Sequence, residues 1–255
     1  MADIFFVHGW PLSGATWRGV AAHLPEHTCH LLELPGSPHG HFDDRTDFSA
    51  AGLASWIQAR ATELGLLRYA LVAHDSGAYV AQLVAAADPR VSLLVMSNTE
   101  VPQHRPPWVP FYQWAFGLPG AARVLSAVLG SRAYLRSGAA FGGCYSDPRR
   151  IDDEFVRTFI EPLRSKRGFE GAARFLRAFD FAAVDALPEV HRRIRAPVHL
   201  IWGEDDPTFP VRLLDRFARS LPTLVSVQRL RGKLLVHDEQ PAAYAAVIRG
   251  ALGSA

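Results

Sequence analysis

The turn Ala73-His74-Asp75-Ser76-Gly77 contains two side chains that could act as a nucleophile, a carboxylate and a hydroxyl. A strand that runs into a helix through a sharp turn presents a nucleophile when small residues lie two positions before and after it. Centring the turn on Asp75 places Ala73 and Gly77 there, whereas centring it on Ser76 places the imidazole of His74 there. The spacing favours Asp75; a helix cap is the alternative role for an Asp at this place.

A carboxylate needs no base to become a nucleophile, because its reference pKa of about 3.9 keeps it ionised at neutral pH. It can attack a saturated carbon with a strained or good leaving group, such as an epoxide or an alkyl halide. The product of that attack is a covalent ester. Attack on an acyl group would give an anhydride, so Asp75 disfavours ordinary esterase or lipase activity.

A second turn, His8-Gly9-Trp10-Pro11, follows the apolar run at the start of the chain. Enzymes with a nucleophile elbow take one oxyanion-hole amide from such a turn and the other from the residue after the nucleophile. We therefore expect Trp10 and Ser76 to supply these two amides.

Short apolar, β-branched runs alternate with longer amphipathic stretches along most of the chain. Continuous apolar strands that alternate with helices indicate a parallel sheet with both faces covered. The predicted strands are Asp3 to Val7, Thr28 to Leu34, Tyr69 to Ala73, Val91 to Met96, Val198 to Trp202 and Leu224 to Leu230. The predicted helices are Trp17 to Leu24, Asp47 to Leu64, Gly77 to Ala87, Val211 to Leu221 and Pro241 to Leu252.

The alternation stops between about Pro102 and Arg195, where a helix-rich segment contains no convincing strand. A long insertion at the carboxyl end of a sheet strand is most simply a lid over the crevice where such sheets bind ligands. We expect a core domain of residues 1–101 and 196–255 and a helical cap domain of residues 102–195.

Composition and charge argue against several classes of function. The net charge is +2 and no block of Lys or Arg stands apart from acidic residues, so we expect no nucleic-acid partner. Cys29 and Cys144 are too few for a disulfide framework and lack metal-ligand spacing, which favours a cytoplasmic location and neither a metal nor a cofactor. The apolar run Ile4 to Val7 is too short for a signal peptide or a membrane span.

Five motifs together resemble the α/β-hydrolase superfamily, and within it the branch with an aspartate nucleophile. They are His8-Gly9-Trp10-Pro11, ELPGSPHG after the second strand, AHDSGA at the elbow, IWGEDDPTFP and HDEQP. The branch contains epoxide hydrolases, haloalkane dehalogenases and fluoroacetate dehalogenases, and the resemblance covers nearly the whole chain. The family usually has two strands ahead of the His-Gly turn, and this chain begins at the third. The implied fold is an α/β-hydrolase fold with a shortened, mostly parallel sheet of about six strands, as in hydroxynitrile lyases and plant methylesterases, and an inserted helical lid.

The resemblance also implies how the ester would be hydrolysed. In the family a histidine oriented by an acid takes a proton from water, and the acid position matches Asp206; a turn-forming Asp before Pro207 is the alternative. The histidine position falls on Leu234, with Lys233 beside it, and neither is a usual general base. His237, three residues later, is the candidate base, with a surface histidine as the alternative. Lys233 could serve only if burial greatly lowered its pKa.

The branches differ in how they hold the leaving group, and this chain favours epoxides over halides. Dehalogenases often have a Trp after the nucleophile and an Asn in the His-Gly turn, and the fluoroacetate enzymes have an Arg after the nucleophile. Here the two positions hold Ser76 and Trp10. Epoxide hydrolases bind the ring oxygen with lid tyrosines, for which Tyr112, Tyr134 and Tyr145 are candidates; packing in the lid core is the alternative for each.

The aromatic run Trp108 to Phe116 indicates an apolar substrate, with an aromatic one as a candidate and lid packing as the alternative. Glu100 and His104 follow a sheet strand and are candidate polar contacts to the substrate. The remaining candidates for substrate binding are His8, His74, Trp108 and the three tyrosines.

The sequence therefore predicts an epoxide-hydrolase-like enzyme that opens an epoxide on a bulky apolar small molecule through Asp75. A base histidine replaced near Lys233 and Leu234 would spare the first step and cripple hydrolysis. The alternatives are a non-hydrolytic cyclase or another bond-forming enzyme of secondary metabolism, a haloalkane dehalogenase, and a ligand-binding protein without turnover. We expect no membrane partner.

Overall fold

The computed structural model describes residues 1–254, and its six strands form one sheet in which every neighbouring pair is parallel. The strands are β1 (Asp3–Val7), β2 (Thr28–Leu31), β3 (Tyr69–His74), β4 (Val91–Ser97), β5 (Val198–Gly203) and β6 (Leu224–Leu230), in the order β2-β1-β3-β4-β5-β6. The chain leaves β1 for β2 at one edge and returns to β3 on the other side of β1. Open parallel sheets bind ligands at such a switch point, outside the carboxyl ends of the strands.

Helices lie on both faces of the sheet and form the segment between β4 and β5. Those before the segment are α1 (Arg18–Ala22), α2 (Ala50–Glu63) and α3 (Asp75–Ala87). Those between β4 and β5 are α4 (Trp108–Ala115), α5 (Ala121–Val128), α6 (Arg132–Leu135), α7 (Asp153–Phe155), α8 (Glu161–Leu163), α9 (Lys166–Ala178), α10 (Phe181–Asp185) and α11 (Leu187–His191). Those after β5 are α12 (Leu214–Arg219), α13 (Val236–Glu239) and α14 (Pro241–Ser254).

The core consists of two apolar layers, one on each face of the sheet. Because side chains alternate along a strand, Phe5 and Val7 of β1 pack in the layer that includes residues of α2 and α3. Ile4 and Phe6 pack in the other layer with Trp17 and residues of α14. The central strands are therefore covered on both sides, which explains why their sequences are continuously apolar.

The six predicted strands are all present, and the sheet is wholly parallel. The second strand ends at Leu31 rather than Leu34, because Leu34 has already turned to donate its N–H to the His8 ring. The predicted helix from Asp47 begins instead at Ala50, since Ser49 caps it by accepting the N–H of Gly52. The helix after the elbow begins at Asp75 itself, two residues earlier than predicted.

The segment between β4 and β5 is helical throughout its regular part, and no strand occurs within its described residues. It has an apolar cluster of its own, in which Phe155 and Ile160 pack with Leu12 and Leu235 from the loops of the core. The segment is thus fixed onto the carboxyl ends of the strands. Within residues 1–254, none of the helices has both the length and the apolar character that crossing a bilayer requires.

Candidate active site

Asp75 lies at the crest of the turn between β3 and α3 with a φ of +51°, a left-handed conformation that is uncommon outside glycine. Its backbone N–H donates to the carbonyl of Asn98 at 3.0 Å, which fixes the turn to the end of β4. A Cβ at Gly77 would lie 2.3 Å from the carbonyl oxygen of His8, and a Cβ at Gly9 would lie 2.3 Å from Oδ2 of Asp75. Glycine at both positions lets the two turns approach and leaves the carboxylate against the His-Gly turn.

The carboxylate of Asp75 accepts hydrogen bonds from the backbone N–H groups of Ser76 and Trp10. The Trp10 N–H also donates to Oγ of Ser76 at 2.9 Å. Burial raises the pKa of Asp75 to about 7, the Asp206 carboxylate adds to the rise, and the hydrogen bonds from Ser76 and Trp10 oppose it. The predicted amide pair therefore faces the predicted nucleophile.

Asp206 follows β5 and is buried, with its two oxygens held by donors from the protein. Oδ2 accepts from the side-chain amide of Asn98 at 2.8 Å, and Oδ1 accepts from the N–H of Thr208 at 2.8 Å. The N–H of Phe209 is a further donor, and burial raises the pKa of Asp206 to about 6. The acid is thus positioned by its own loop and by β4, with no histidine among its described hydrogen-bond partners.

Asn98 connects the ends of three strands and was not predicted from the sequence. Its backbone carbonyl accepts from Asp75, its Oδ1 accepts from the N–H of Gly203 at 2.7 Å, and its Nδ2 donates to Asp206. It is fully buried and has a φ of +31°. A polar residue directly after the apolar run of β4 was the available signal, because carboxyl ends of parallel strands meet at one edge.

A cavity of about 470 Å³ opens from Asp75 toward the inserted segment. Asp75, Ser76 and Glu100 form its polar floor, and its walls are mainly aromatic and aliphatic side chains. Among the described residues, no Lys, Arg or His lines it. The residues that line it from the inserted segment include Trp108, Val109, Phe111, Tyr112, Phe116, Tyr134, Phe141, Cys144, Phe169 and Phe175.

Two tyrosines of the inserted segment lie together in this cavity. The hydroxyl oxygens of Tyr112 and Tyr134 are 3.3 Å apart, and the Tyr112 hydroxyl lies 3.5 Å from the carbonyl of Ala139. Burial, followed by the hydrogen bond to Tyr134, raises the pKa of Tyr112 to about 12. The Tyr112 hydroxyl therefore stays protonated at neutral pH and can donate a hydrogen bond.

Residues 4–247 match the model of a family described as the alpha/beta hydrolase family. The chain belongs to this family. The resemblance read from the five sequence motifs is therefore confirmed at the level of the family and the fold.

Several solved structures and curated proteins are similar to this chain. A laboratory-evolved variant of a potato epoxide hydrolase has a TM-score of 0.79 and 22% identity, covering 100% of this chain and 93% of that one. A haloalkane dehalogenase from Bradyrhizobium elkani has a TM-score of 0.77 and 21% identity, covering 100% and 92%. An epoxide hydrolase of Siraitia grosvenorii is 22% identical over 238 residues, 81% of this chain and 75% of that protein. A stretch of 56 residues is 38% identical to a pimeloyl-[acyl-carrier protein] methyl ester esterase of Aeromonas salmonicida, but spans about a fifth of either chain (22%).

His237 does not lie in the cavity of this hydrolase. Its ring packs between those of Trp17 and His74, each with its centroid 4.2 Å away, and its Nε2 is 2.8 Å from Oγ1 of Thr16. It is fully buried, so it is not a surface histidine either, and burial lowers its pKa to about 3. The face of α13 that carries His237 therefore packs against Trp17, in the apolar layer that contains residues of β1 and α14. Leu234 lines the cavity instead.

The two histidines predicted to bind substrate near the turns are structural in this arrangement. His8 accepts the N–H of Leu34 through Nε2, and burial lowers its pKa to about 4. His74 accepts the N–H of Gly9 at 3.1 Å, and burial holds its pKa well below the usual range. Neither side chain lines the cavity. Their hydrogen bonds instead hold the His-Gly turn in place from behind.

Three further candidates take different places. His104 does not line the cavity, since its Nε2 lies 2.7 Å from the carbonyl oxygen of Thr208. Tyr145 is buried in the inserted segment and donates to Asp238 at 2.8 Å, so it also lies outside. Lys233 is half-buried, and its N–H donates to Glu239 at 2.8 Å. The candidates that line the cavity are Trp10, Asp75, Ser76, Glu100, Trp108, Tyr112 and Tyr134.

Proposed function

We propose that this alpha/beta hydrolase opens an epoxide on an apolar substrate by attack of Asp75 on a ring carbon. The observation that carries the proposal is the setting of Asp75: it lines an apolar cavity that is also lined by two tyrosines whose hydroxyls lie 3.3 Å apart. An attack of this kind needs an anionic nucleophile on one side of the carbon and a donor for the departing oxygen on the other.

The ring-opening step uses groups that line one cavity. An oxygen of Asp75 forms a bond to carbon while the bond from that carbon to the ring oxygen breaks. Tyr112 and Tyr134, which line the same cavity, would donate hydrogen bonds to the ring oxygen as it gains negative charge. The product is an ester of Asp75, whose carbonyl oxygen lies against the amides of Trp10 and Ser76.

The lining favours a bulky apolar substrate. Apart from Asp75, Glu100 and a few hydroxyls, the walls are hydrocarbon and aromatic rings. Trp108 and Phe111 line the cavity and are also exposed, at 40% and 56%, so the cavity reaches the protein surface at these side chains. The inserted segment would thereby act as the lid of the site, with residues 102–195 as a cap over the core.

A halide-releasing reaction receives less support from the same geometry. The indole Nε1 of Trp10 donates to the carbonyl of Ala172 at 2.9 Å, so this N–H is already engaged. The hydroxyl of Ser76, after the nucleophile, already donates to Oδ2 of Asp75 at 3.4 Å. Neither group is free to hold a departing halide, and the epoxide remains the better substrate class.

A non-hydrolytic cyclase is the second candidate, favoured by the position of Leu234. An apolar side chain lines the cavity where related hydrolases are expected to place their base, and His237 faces the core. A hydroxyl within the substrate could then open the ring in place of water, with Asp75 as the base or as an electrostatic guide. Such a product keeps the mass of the substrate, whereas hydrolysis adds one water.

The test is intact-protein mass spectrometry and product analysis with a panel of aromatic and aliphatic epoxides, beside an Asp75→Asn control. An adduct of substrate mass or a diol, either of them lost in the control, is the expected result. An isomer of unchanged mass would favour the cyclase. Absence of adduct, diol and isomer with a panel that binds the protein would refute the proposal and leave a ligand-binding protein.

The tyrosines provide a matched comparison within the same experiment. Tyr112→Phe and Tyr134→Phe each remove one hydroxyl from the cavity and should slow ring opening by about 10-fold or more. Tyr145→Phe removes a hydroxyl that donates to Asp238 outside the cavity, so ring opening should stay within about threefold. Equal effects of all three changes would rule out a direct role of the pair.

A further inference from the structure

We infer that Glu100 is the proton-transfer residue of this site: its carboxyl protonates the epoxide oxygen as the ring opens, and the resulting carboxylate then activates the water that hydrolyses the Asp75 ester. The inference rests on the proposed function of Asp75. It gives the site a general acid and base that is not a histidine.

The sheet brings Glu100 and Asp75 to the same cavity. β3 and β4 are neighbours, and their last residues, His74 and Ser97, are in register. The chain after each strand therefore emerges at the same edge, one residue before Asp75 and three residues before Glu100. Both side chains line the cavity, and Glu100 is only 7% exposed.

No cation neutralises Glu100 within the described part of the chain. Its Oε2 lies 2.9 Å from the hydroxyl of Thr99, which also lies 3.1 Å from the backbone carbonyl of Asp75. No ion pair with a Lys, Arg or His is found for Glu100 among residues 1–254. A carboxyl that serves only structure is rarely buried without such a partner, so its position in the cavity indicates a chemical role.

Asp75 and Glu100 form a pair that holds one proton near neutral pH. Two carboxylates in one apolar cavity repel each other, and burial disfavours both charges. Burial, followed by the charge of Asp75, raises the pKa of Glu100 to about 8. The proton therefore resides mainly on Glu100, which leaves Asp75 anionic as a nucleophile and Glu100 neutral as an acid.

The first half-reaction balances with this proton. An Asp75 oxygen bonds to the ring carbon, the carbon–oxygen bond of the ring breaks, and the electron pair moves to the ring oxygen. The Glu100 proton passes to that oxygen and gives a hydroxyl, and the tyrosine pair donates hydrogen bonds to the same oxygen as its charge develops. Glu100 is now a carboxylate beside the ester of Asp75.

The second half-reaction uses that carboxylate as a base. A water oxygen attacks the ester carbonyl carbon of Asp75 and loses a proton to Glu100, and the oxyanion lies at the amides of Trp10 and Ser76. When the tetrahedral centre collapses, the departing alkoxide takes the proton from Glu100 and leaves as the second hydroxyl of a diol. The carboxyl proton left on Asp75 returns to Glu100, which restores the starting state.

A Glu100→Gln variant tests the inference with two substrates. With an epoxide we expect diol formation to fall by about 100-fold or more, in the range typical of a lost general acid or base. A benzylic bromide alkylates Asp75 with no need for an acid, because bromide leaves unprotonated. The ester from this substrate should form at the rate of the unaltered protein, within about threefold, and then persist.

The outcomes separate the failure of this inference from the failure of the proposed function. The proposed function fails if the unaltered protein forms neither ester nor diol, or if Asp75→Asn forms as much of them as the unaltered protein does. If Glu100→Gln produces diol within threefold of the unaltered protein and with the same pH profile, Glu100 is structural and the inference is overturned. Should Glu100→Gln not fold, Glu100→Asp retracts the carboxyl by one methylene and must show the same persistent ester.

Discussion

At the scale of single residues, the carboxyl pair makes the rate of ring opening depend on pH in both directions. Asp75 must be ionised, so kcat/KM should fall as the pH drops below about 7, the value to which burial raises its pKa. Glu100 must be protonated, so kcat/KM should also fall as the pH rises above about 8. We expect a bell-shaped profile with a narrow maximum between these values.

Steady-state kinetics from pH 5 to 10 with one epoxide would measure this profile. The other titratable groups that face Glu100 or line the cavity are Tyr79, Tyr112, Tyr134, Cys144 and, across Asp75, Asp206. Glu100→Gln should remove the alkaline fall while the acid fall from Asp75 remains. An unaltered alkaline limb in that variant would assign the limb to one of the other groups.

Leu234 allows the opposite experiment, in which a base is added. A Cβ at Gly203 would lie 2.3 Å from the carbonyl of Lys233, so the chain at Leu234 runs beside the loop of Asp206. Leu234→His should therefore place an imidazole in the cavity near a buried acid. In the Glu100→Gln background we expect this change to raise hydrolysis of the ester by about 10-fold or more.

Release of the alcohol from the preformed benzylic ester measures the effect. Leu234→Asn is the matched control, since it adds polarity without a group that titrates near neutral pH. Equal acceleration by His and Asn would mean that a wetter cavity, rather than a base, hydrolyses the ester.

At the scale of elements, the geometry of Asp75 depends on how closely α3 approaches the turn after β1. Gly77→Ala would place a methyl 2.3 Å from the backbone carbonyl oxygen of His8. This carbonyl has little room to move, because the His8 ring accepts a hydrogen bond from the N–H of Leu34. We expect this change to lower the free energy of unfolding by about 3 kcal/mol and to reduce ester formation in the folded fraction. Gly250→Ala in α14 meets no atom within 4 Å and should be neutral or stabilising by up to about 1 kcal/mol. Urea unfolding and adduct formation by both variants would measure the difference.

The elements were predictable from the sequence to the extent that their signals are local. The sheet and the elbow were predicted from patterns within short stretches of the chain. These patterns are the six apolar runs, the small residues around Asp75 and the glycine turn at Gly9. The orientation of a side chain on a short helix is not local. His237 lies on α13, whose rotation is set by packing against Trp17, and Tyr145 turns toward Asp238. Motif spacing alone could not separate these from side chains that face the cavity.

The polar groups around Asp206 could not be predicted either, because their contacts are also not local in the sequence. Asn98 and Thr99 acquire their partners only when β3, β4 and β5 lie side by side, since those partners are Asp75, Gly203 and Asp206. Sequence pattern placed Glu100 and the residues after β4 near the crevice. It gave no means of pairing Glu100 with Asp75 rather than with a substrate.

At the scale of the whole molecule, three buried carboxyls near one cavity should make stability depend on pH. Burial is the first cause of the raised pKa in Asp75, Glu100 and Asp206. A group whose pKa is higher in the folded state keeps its proton on folding, so its folded form is favoured at low pH. That advantage is lost as the pH rises from about 4, where the unfolded chain ionises, to between about 6 and 8.

Asp75→Asn should therefore stabilise the protein at pH 8 and change it little at pH 4.5. At about 1.4 kcal/mol for each pKa unit, the rise from 3.8 to about 7 makes the gain at pH 8 on the order of 4 kcal/mol. Urea unfolding at the two pH values measures it, and Glu154→Gln, which alters an exposed carboxyl of α7, is the control that should change neither. A gain that is equal at both pH values would mean that Asp75 is not held in an unfavourable charged state. The selective gain would instead identify a site in which the fold gives up stability to keep an ionised carboxylate in an apolar cavity, which is what attack on carbon requires.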